Sequence, residues 1–291
     1  MTFTTLVDAE TLAAAVGRPD WAIVDCRFAL EDVAWGEQAY HAAHIPGAVY
    51  AHLDRDLSGQ KSGTNGRHPL PDPAVLANTF GQLGIAQGVQ VVAYDQDAGS
   101  WASRLWWLLR WLGHDAVAVL DGGLAAWHGA GRPTQSGPES RPCRTFEAHP
   151  RRDMVVDVAA VAALGNDWRL VDARAPERFR GESEPIDRVP GHIPGAVNRF
   201  FKSNLDVNGA FRSEVELRRA WTETLGGVGA ERVVCYCGSG VTACHNLLAL
   251  ERAGLTGGKL YVGSWSEWAS DPGRPVGRGA GGLPTAVTPR E

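Results

Sequence analysis

Short runs of β-branched and aromatic residues alternate along this chain with longer segments in which apolar residues recur at helical spacing. The runs VQVVAY (89–94) and ERVVCY (231–236) have the length and composition of buried strands. Each is followed by a segment with helical periodicity, WASRLWWLLRWLG (101–113) and VTACHNLLALERAG (241–254). Strands that alternate with helices in this way are typical of βαβ units, so the pattern predicts an α/β fold in which helices flank mainly parallel sheets.

Several residues mark the ends of the predicted helices. Asp8 precedes ETLAAAVG and Asp157 precedes VAAVAALG, where a carboxylate would accept hydrogen bonds from the free amides of the first turn. Gly113 and Gly254 stand where the helical periodicity stops, and glycine favours helix termination. We therefore expect helices to begin after the two aspartates and to end at the two glycines.

The chain contains an internal repeat. Four segments recur in the same order at nearly constant spacing: IVDCR (23–27) as LVDAR (170–174), HIPGAV (44–49) as HIPGAV (192–197), VVAYD (91–95) as VVCYC (233–237), and LDGGLAAW (120–127) as YVGSWSEW (261–268). A repeat of this length predicts two homologous domains rather than a solenoid of short units. We place them at residues 1–130 and 153–271, with a linker rich in Pro, Ser and Arg at 131–152 and an irregular Gly- and Pro-rich tail at 272–291.

Charge and composition exclude several classes of partner. The 291 residues carry a net charge of -5, from 28 Lys and Arg against 33 Asp and Glu, and no basic block could follow a phosphate backbone, so we expect no nucleic-acid binding. The N-terminus lacks a basic region followed by an apolar one, and no apolar run reaches about 18 residues, so we expect neither export nor membrane contact. The five cysteines lack paired CxxC spacing, which predicts no disulfide framework, no metal site and a reducing, cytoplasmic location.

The segment after the second repeated strand carries the strongest chemical signal. In VVCYCGSGVTACH (233–245), Cys237 stands where the strand ends and a Gly-rich loop begins, just before a helix that starts near Thr242. The amides of Gly238, Ser239, Gly240 and Val241 can turn toward the sulfur, and amides and a helix N-terminus favour a thiolate. We therefore predict that Cys237 is a nucleophile, whereas Cys235 and Cys244 are small buried side chains of the strand and the helix.

Two other chemistries share part of this loop. Residues 238–243 match GxGxxA after a strand, a pattern of dinucleotide-binding sites, but the acidic residue that should follow about 20 positions later is absent. A cysteine phosphatase of the C-x5-R type would need an arginine at position 243, and that residue is Ala243. Neither reading accounts for the loop.

The repeated HIPGAV, the DGG-W and GSW-W endings and the sequence CGSGVTA resemble the tandem-domain rhodanese-type sulfurtransferases. The loop is similar to that of the members that use 3-mercaptopyruvate, whereas the thiosulfate branch has CRKGVTA, with cations at the positions of Gly238 and Ser239. The resemblance implies two tandem rhodanese-like domains and a Cys237 persulfide, formed from a small-molecule donor and passed to cyanide or a thiol, with no cofactor and no metal. It also implies that a thioredoxin-like reductant is a candidate partner, and that the first domain, with Asp95 in place of the cysteine, is not catalytic.

Further site residues follow from the same resemblance. Arg178 and Arg188 are the arginines that would bind the donor carboxylate, which a guanidinium can hold with two hydrogen bonds. Gly238, Gly240, Val241 and Thr242 would contact the donor through the loop. Ser239, His68 and Asp54 correspond to a serine-protease-like relay that could protonate the enolate left when sulfur departs.

Two other functions stay open at this stage. The main donor could be thiosulfate, in a thiosulfate:cyanide sulfurtransferase. Alternatively, the chain could be a non-catalytic carrier that holds persulfide sulfur for a partner protein. The absence of cations inside the loop favours 3-mercaptopyruvate, because thiosulfate brings two negative charges toward a thiolate.

Overall fold

The chain forms two five-stranded sheets in a computed structural model that describes residues 2–281. The strands of the first sheet are β1 Leu6–Val7, β2 Trp21–Asp25, β3 Val49–Tyr50, β4 Gln90–Tyr94 and β5 Val117–Leu120, and those of the second are β6 Val155–Val156, β7 Arg169–Asp172, β8 Val197–Asn198, β9 Val233–Tyr236 and β10 Lys259–Tyr261. The strand order is β1-β5-β4-β2-β3 in one sheet and β6-β10-β9-β7-β8 in the other. All paired strands are parallel.

The two sheets therefore have the same topology, as the internal repeat predicts. Each is flanked by helices: α1 Ala9–Ala15, α2 Trp35–Ala42, α3 Leu53–Asp56, α4 Pro73–Gln82, α5 Ala102–Trp111 and α6 Gly123–Gly129 in the first half, and α7 Val158–Ala162, α8 Pro176–Arg180, α9 Glu214–Leu225, α10 Thr242–Arg252 and α11 Ser264–Trp268 in the second. Three short 3₁₀ helices cover Arg152–Met154, Phe201–Asn204 and Ala230–Arg232. The predicted α/β fold with two homologous domains is confirmed. Of the predicted tail, residues 282–291 lie outside the described part of the chain.

The predicted helix ends are also observed. Asp8 accepts a hydrogen bond from the Thr11 amide at 2.7 Å, and Asp157 accepts one from the Ala160 amide at 2.8 Å. Gly113 has a φ of +90°, a conformation that is strained for residues with a side chain, and it follows directly after the end of α5. These local signals determine the residues at which the helices begin and end.

The two domains meet along α5 and α10. All residues of α5 except Arg110 are buried, because one face packs on the first sheet and the other on α10. Apolar side chains of both helices belong to one continuous core that crosses the domain boundary. Burial on nearly all sides is consistent with the central position of this helix, although Ser103 and Arg104 are among its buried residues. The loops that precede α5 and α10, which follow β4 and β9, are consequently held close to the interface.

No helix among residues 2–281 is both long and apolar enough to cross a membrane.

Candidate active site

Cys237 stands directly after β9, and its sulfur lies in a ring of backbone amides. Its Sγ accepts hydrogen bonds from the amides of Ser239, at 3.4 Å, and Gly240, at 3.1 Å. Gly240 has a φ of +77°, and a Cβ at this position would lie 2.3 Å from the carbonyl oxygen of Val262. Glycine is therefore required here to turn an amide toward the sulfur. Only 2% of Cys237 is exposed, so the thiol is reached through the pocket in front of it.

The backbone of Cys237 is fixed from behind by the segment that follows β10. Its amide donates to Ser264 Oγ at 3.1 Å, and its carbonyl accepts from the Trp265 amide at 3.0 Å. Ser264 has a φ of +54°, a left-handed conformation that costs energy for a residue with a side chain. Its Oγ also donates to the Tyr261 carbonyl at 2.9 Å. The sequence analysis missed Ser264, although the repeat gives a signal, since Gly123 occupies the equivalent position in the first domain with a φ of +58°.

Ser239, His68 and Asp54 are brought together across the domain interface. Ser239 Oγ lies 2.7 Å from His68 Nδ1, and His68 Nε2 lies 3.4 Å from Asp54 Oδ1. A carboxylate only accepts hydrogen bonds, so the tautomer protonated on Nε2 satisfies both contacts and leaves Nδ1 to accept the serine hydroxyl proton. Asp54 Oδ1 also accepts from Lys61 Nζ at 3.0 Å, which orients the carboxylate.

His68 is neutral in this site. Burial lowers the pKa of its imidazole to about 3, and the nearby Asp54 carboxylate opposes that shift without overcoming it. A neutral imidazole can accept a proton through Ser239, and the Asp54 charge would stabilise the imidazolium that results. The three side chains can therefore hold and return a proton beside Cys237.

Arg178 lies at the pocket together with Arg67, a residue that the sequence analysis missed. A Cβ placed on Gly238 would lie 3.7 Å from Arg178 Nη2 and 2.7 Å from Arg67 Nη2. Arg67 directly precedes His68 in GRHPLP, but nothing in that segment indicates that it faces the second domain. The loop itself carries no cation at positions 238 and 239, but two guanidinium groups, the expected Arg178 and the unexpected Arg67, reach Gly238 from outside the loop.

Two acidic side chains neutralise these arginines. Arg178 Nη2 donates to Glu184 at 2.7 Å and to Asp187 at 3.1 Å, and Arg67 also pairs with Asp187. Burial raises the pKa of Asp187, with a further contribution from the charge of Glu184, whereas the arginines oppose the shift. Asp187 is consequently an acidic group that a donor carboxylate could replace on the two arginines.

Arg188 is placed differently. Its side chain is exposed and is not among those that line the pocket. Arg180 is also outside the pocket, where it pairs with Glu182 at 2.7 Å. The structure therefore brings Arg178 to the thiol and does not bring Arg188 there.

The thiol opens into a pocket of about 210 Å³ at the domain interface. The first domain contributes Leu30, Arg67, His68 and Trp101, and the second contributes Arg174, Ala175, Arg178, Ile186, Phe200, Phe201, Cys237, Gly238, Ser239, Val241 and Thr242. Val241 and Thr242 lie at the N-terminus of α10, whose positive end faces the pocket. Gly238, Ser239 and both residues of α10 are thus placed to contact a small anionic donor. Among residues 2–281, no cluster of three or more His, Cys, Asp or Glu side chains could hold a metal ion.

The corresponding loop of the first domain carries an acidic residue in place of the cysteine. Asp95 takes the place of Cys237 after β4, and its carboxylate is fully buried. It accepts hydrogen bonds from four amides, those of Asp97 and Gly99 at 2.9 Å each, Trp101 at 2.7 Å and Ala102 at 2.8 Å. This loop retains the ring of amides, but a resident carboxylate occupies it.

Comparisons with known proteins show the family of this chain. The family model described as rhodanese-like domain matches residues 8–130 and 157–271. A probable 3-mercaptopyruvate sulfurtransferase of Pseudomonas aeruginosa is 50% identical over 94% of this chain and 98% of its own, and a putative thiosulfate sulfurtransferase, SseB, of Mycobacterium tuberculosis is 40% identical over 94% and 97%. The crystal structure of SseA from Escherichia coli, described as a 3-mercaptopyruvate sulfotransferase with the rhodanese fold, superposes with a TM-score of 0.78 at 34% identity over 90% of this chain and 99% of its own. The chain belongs to the rhodanese family, and it carries two rhodanese-like domains in tandem.

Proposed function

We propose that this chain is a sulfurtransferase in which Cys237 takes sulfur from 3-mercaptopyruvate, holds it as a persulfide and passes it to a thiol or to cyanide. The observation that carries the choice of donor is the 2.7 Å contact between Ser239 Oγ and His68 Nδ1, because it places a proton carrier beside the thiol. Relatives with 3-mercaptopyruvate sulfurtransferase in their names support the same donor.

In the first step, the Cys237 thiolate attacks the sulfur of the donor. The new S–S bond forms as the carbon–sulfur bond breaks, and the electron pair of that bond remains on the three-carbon product as an enolate. The donor thiol loses a proton and the enolate carbon gains one, so the step is balanced by one proton transfer. Neutral His68 takes this proton through Ser239 and returns it by the same route, while Asp54 stabilises the transient imidazolium.

The donor carboxylate binds between Arg67 and Arg178. Both guanidinium groups lie beside Gly238, next to the sulfur, and a guanidinium binds a carboxylate with two parallel hydrogen bonds. The incoming carboxylate replaces Asp187, the acid that both arginines contact. In this proposal Arg188 has no contact with the donor, since it lies outside the pocket.

In the second step, a thiolate or cyanide attacks the outer sulfur of the persulfide. The S–S bond breaks and its electron pair returns to Cys237, which restores the thiolate within its amides. Splitting the transfer into two displacements is covalent catalysis of the ping-pong type. A cytoplasmic location belongs to the same proposal, and it is supported by five cysteines that are all free thiols, including exposed Cys143. A thioredoxin-like reductant is the candidate biological acceptor.

Thiosulfate is the second candidate donor, and Arg67 is the observation that favours it. A pair of cations beside Gly238 offsets the repulsion between a thiolate and a dianion, so the pocket does not exclude thiosulfate on charge alone. Sulfite, however, leaves without needing a proton on carbon, so a thiosulfate enzyme would have no use for the contact between Ser239 and His68. We therefore rank 3-mercaptopyruvate first.

Steady-state kinetics with the two donors and cyanide test the proposal. We expect kcat/KM to favour 3-mercaptopyruvate by about 100-fold, which corresponds to about 2.7 kcal/mol. The variant Arg67→Gln should lower kcat/KM for thiosulfate more than for 3-mercaptopyruvate, because the dianion depends more on the second cation. Lys202→Gln is a matched control, since this exposed cation lies outside the pocket and pairs with Asp97.

Two results would contradict the proposal. Faster turnover of thiosulfate than of 3-mercaptopyruvate by the wild type would make thiosulfate the donor. Formation of a persulfide without any turnover in the presence of cyanide would make the chain a carrier of sulfur for a partner protein.

A further inference from the structure

Arg104 is an unusual residue of the domain interface. It is the third residue of α5, in the domain without the catalytic cysteine, and it is 0% exposed. A guanidinium almost never lies in such a position without a carboxylate beside it, because burying an uncompensated charge is costly. The groups around Arg104 must therefore compensate the charge of its guanidinium.

The guanidinium is held by backbone carbonyls from both halves of the active site. Nη1 donates to the carbonyl of Gly240 at 3.0 Å, and Nη2 donates to the carbonyls of His68 at 3.2 Å and Pro69 at 3.4 Å. Gly240 is the residue whose amide faces the sulfur, and His68 is the relay imidazole. One side chain thus ties the loop of the thiol to the loop of the relay, although Nε finds no acceptor among residues 2–281.

No carboxylate of the described residues forms an ion pair with Arg104. Burial lowers the pKa of the guanidinium, and its interactions with the Cys244 and Cys237 sulfurs oppose that shift, yet arginine stays protonated in proteins. Burial also raises the pKa of Cys244 to about 12, so Cys244 remains a neutral thiol at physiological pH. Cys237 is linked to the guanidinium through one residue, since Gly240 accepts from Arg104 Nη1 at 3.0 Å and donates to Cys237 Sγ at 3.1 Å.

The pseudo-equivalent residue of α10 gives an independent comparison. Arg104 lies nine positions before Gly113, and His245 lies nine positions before Gly254. His245 reaches the Asp95 loop as Arg104 reaches the Cys237 loop, with its Nε2 3.2 Å from the carbonyl oxygen of Ala98. Burial lowers the pKa of His245 to about 4, so the group facing the Asp95 loop is neutral. Of these two pseudo-equivalent side chains, Arg104 carries a permanent charge and faces the loop of the thiol, whereas His245 is neutral and faces the loop of Asp95.

We propose that Arg104 is a positioning residue of the sulfur-transfer site, which fixes the Gly240 and His68 loops together and supplies the buried positive charge that favours an anionic sulfur on Cys237. The inference rests on the proposed function only in taking Cys237 as the nucleophile, and it does not depend on the identity of the donor. The first domain then has a role besides supplying His68 and Asp54 of the relay, since Arg104 of α5 places a positive charge at the site of the second domain.

Alkylation of Cys237 by iodoacetamide tests this role without any sulfur donor. The rate is measured from pH 5 to pH 10 by mass spectrometry of the peptide that contains Cys237, so that exposed Cys143 does not interfere. Several groups near the thiol could titrate or carry charge: Arg104 from α5, Arg67 and His68 from the loop before α4, Arg174 from the loop after β7, Arg178 from α8, Cys235 from β9 and Cys244 from α10. Only Arg104 is changed.

In Arg104→Met, which keeps the volume and removes the charge, the midpoint of the rate profile should move up by at least about one pH unit, a tenfold loss of thiolate at neutral pH. Arg104→Lys should move it by less, because lysine keeps a cation but cannot span three carbonyls. Arg110→Met is the matched control on the same helix. It removes a contact of 3.3 Å with Glu251 across the same interface, and it should lower thermal stability without moving the midpoint.

An unchanged midpoint in folded Arg104→Met overturns the inference, and so does an equal shift in the Arg110 control. If both Arg104 variants fail to fold while Arg110→Met folds, Arg104 is a residue of the scaffold and the inference is also wrong. Failure of the proposed function would give a different result. The alkylation of Cys237 would then show the pH profiles expected here for the wild type and the Arg104 variants, but the wild type would turn over neither donor.

Discussion

The loops after β4 and β9 have equivalent positions in the two domains. The amides of the first loop surround the Asp95 carboxylate, whereas those of the second face the Cys237 thiol. Four amides donate to Asp95, whereas two donate to Cys237 and leave room in front of the sulfur. The Asp95 loop is also two residues longer before its helix, since α5 begins seven positions after Asp95 and α10 begins five positions after Cys237. In the first domain the chain supplies its own anion, the Asp95 carboxylate. We call this carboxylate and its four amides a structural brace, because they stabilise the loop instead of binding a substrate.

The comparison also explains how the domains divide their tasks. The first domain has Asp95 at the position of the proposed nucleophile, but its His68, Asp54 and Arg67 lie at the Cys237 site of the second domain. Because these residues approach from the other side of the interface, the proposed active site is complete only when the two domains are packed together. The variants described below distinguish the structural role of Asp95 from the catalytic role proposed for Cys237 and the relay.

The largest effect is expected when the thiol itself is changed. Cys237→Ser should lower turnover of either donor by at least about 10⁴-fold, because the nucleophile is lost. Adding Asp95→Cys to that variant should not restore activity, since the longer loop holds its amides around a carboxylate rather than in front of an open pocket. Steady-state assays of the single and double variants check this, and measurable turnover in the double variant would contradict the distinction between the two loops.

The relay should give the next largest effect. His68→Ala and Ser239→Ala should each lower kcat for 3-mercaptopyruvate by about 100-fold, and the double variant should lose little more, since members of one proton path act as a unit. Turnover of thiosulfate should fall less in all three. His128→Ala is a suitable control, because this histidine ends α6, outside the pocket. Equal losses for both donors would remove the relay from the mechanism.

Asp95 should matter for stability rather than for chemistry. In Asp95→Asn the side-chain NH₂ would face amide donors, so two of the four backbone amides would lose their acceptor, at about 2–3 kcal/mol of unfolding free energy. Asp97→Asn in the same loop is the control, and it should change stability by less than about 0.5 kcal/mol because Asp97 is exposed and pairs only with Lys202 and Ser100. Urea unfolding measures both. A variant at Asp95 that is as stable as the wild type would mean that the carboxylate is not a brace.

The smallest effect is expected at Ser264. Ser264→Gly copies the first domain, where Gly123 takes the same left-handed conformation, and it relieves strain while removing the hydroxyl that accepts from the Cys237 amide. We expect kcat to fall only about threefold to tenfold and the stability to change by less than about 1 kcal/mol. Ser264→Ala, which keeps the strain and loses the hydroxyl, should be less stable than the glycine variant. The reverse order of stability would show that the left-handed conformation at position 264 carries no strain that glycine relieves.

Much of the fold could be predicted from the sequence because its signals are local. Strand runs, Asp8 and Asp157 as caps, and the internal repeat depend on neighbouring residues or on similarity within the chain. The place of Cys237 between a strand and a Gly-rich loop is a local signal as well. The relay residues were named through the family resemblance, and the structure brings their side chains within contact distance.

The residues that were missed depend on how the domains pack. Arg67 and Arg104 act on a loop more than 130 positions away, and no local pattern shows which way their side chains point. Arg188 illustrates the same limit in the opposite direction: Asp187 turns inward to the two arginines, so the next side chain along the chain points to solvent. Spacing within a short loop could not decide between these two orientations.

Mapping the transferred sulfur tests the central claim most directly. The wild-type protein is mixed with one equivalent of 3-mercaptopyruvate, without acceptor, and digested for mass spectrometry at low pH to preserve persulfides. We predict one added sulfur atom on the peptide that contains Cys237, and its loss on addition of cyanide. The peptide also contains Cys235 and Cys244, so Cys235→Ser and Cys244→Ala are treated in parallel and should keep the adduct. A sulfur atom on any other cysteine, or none on Cys237, would contradict the account.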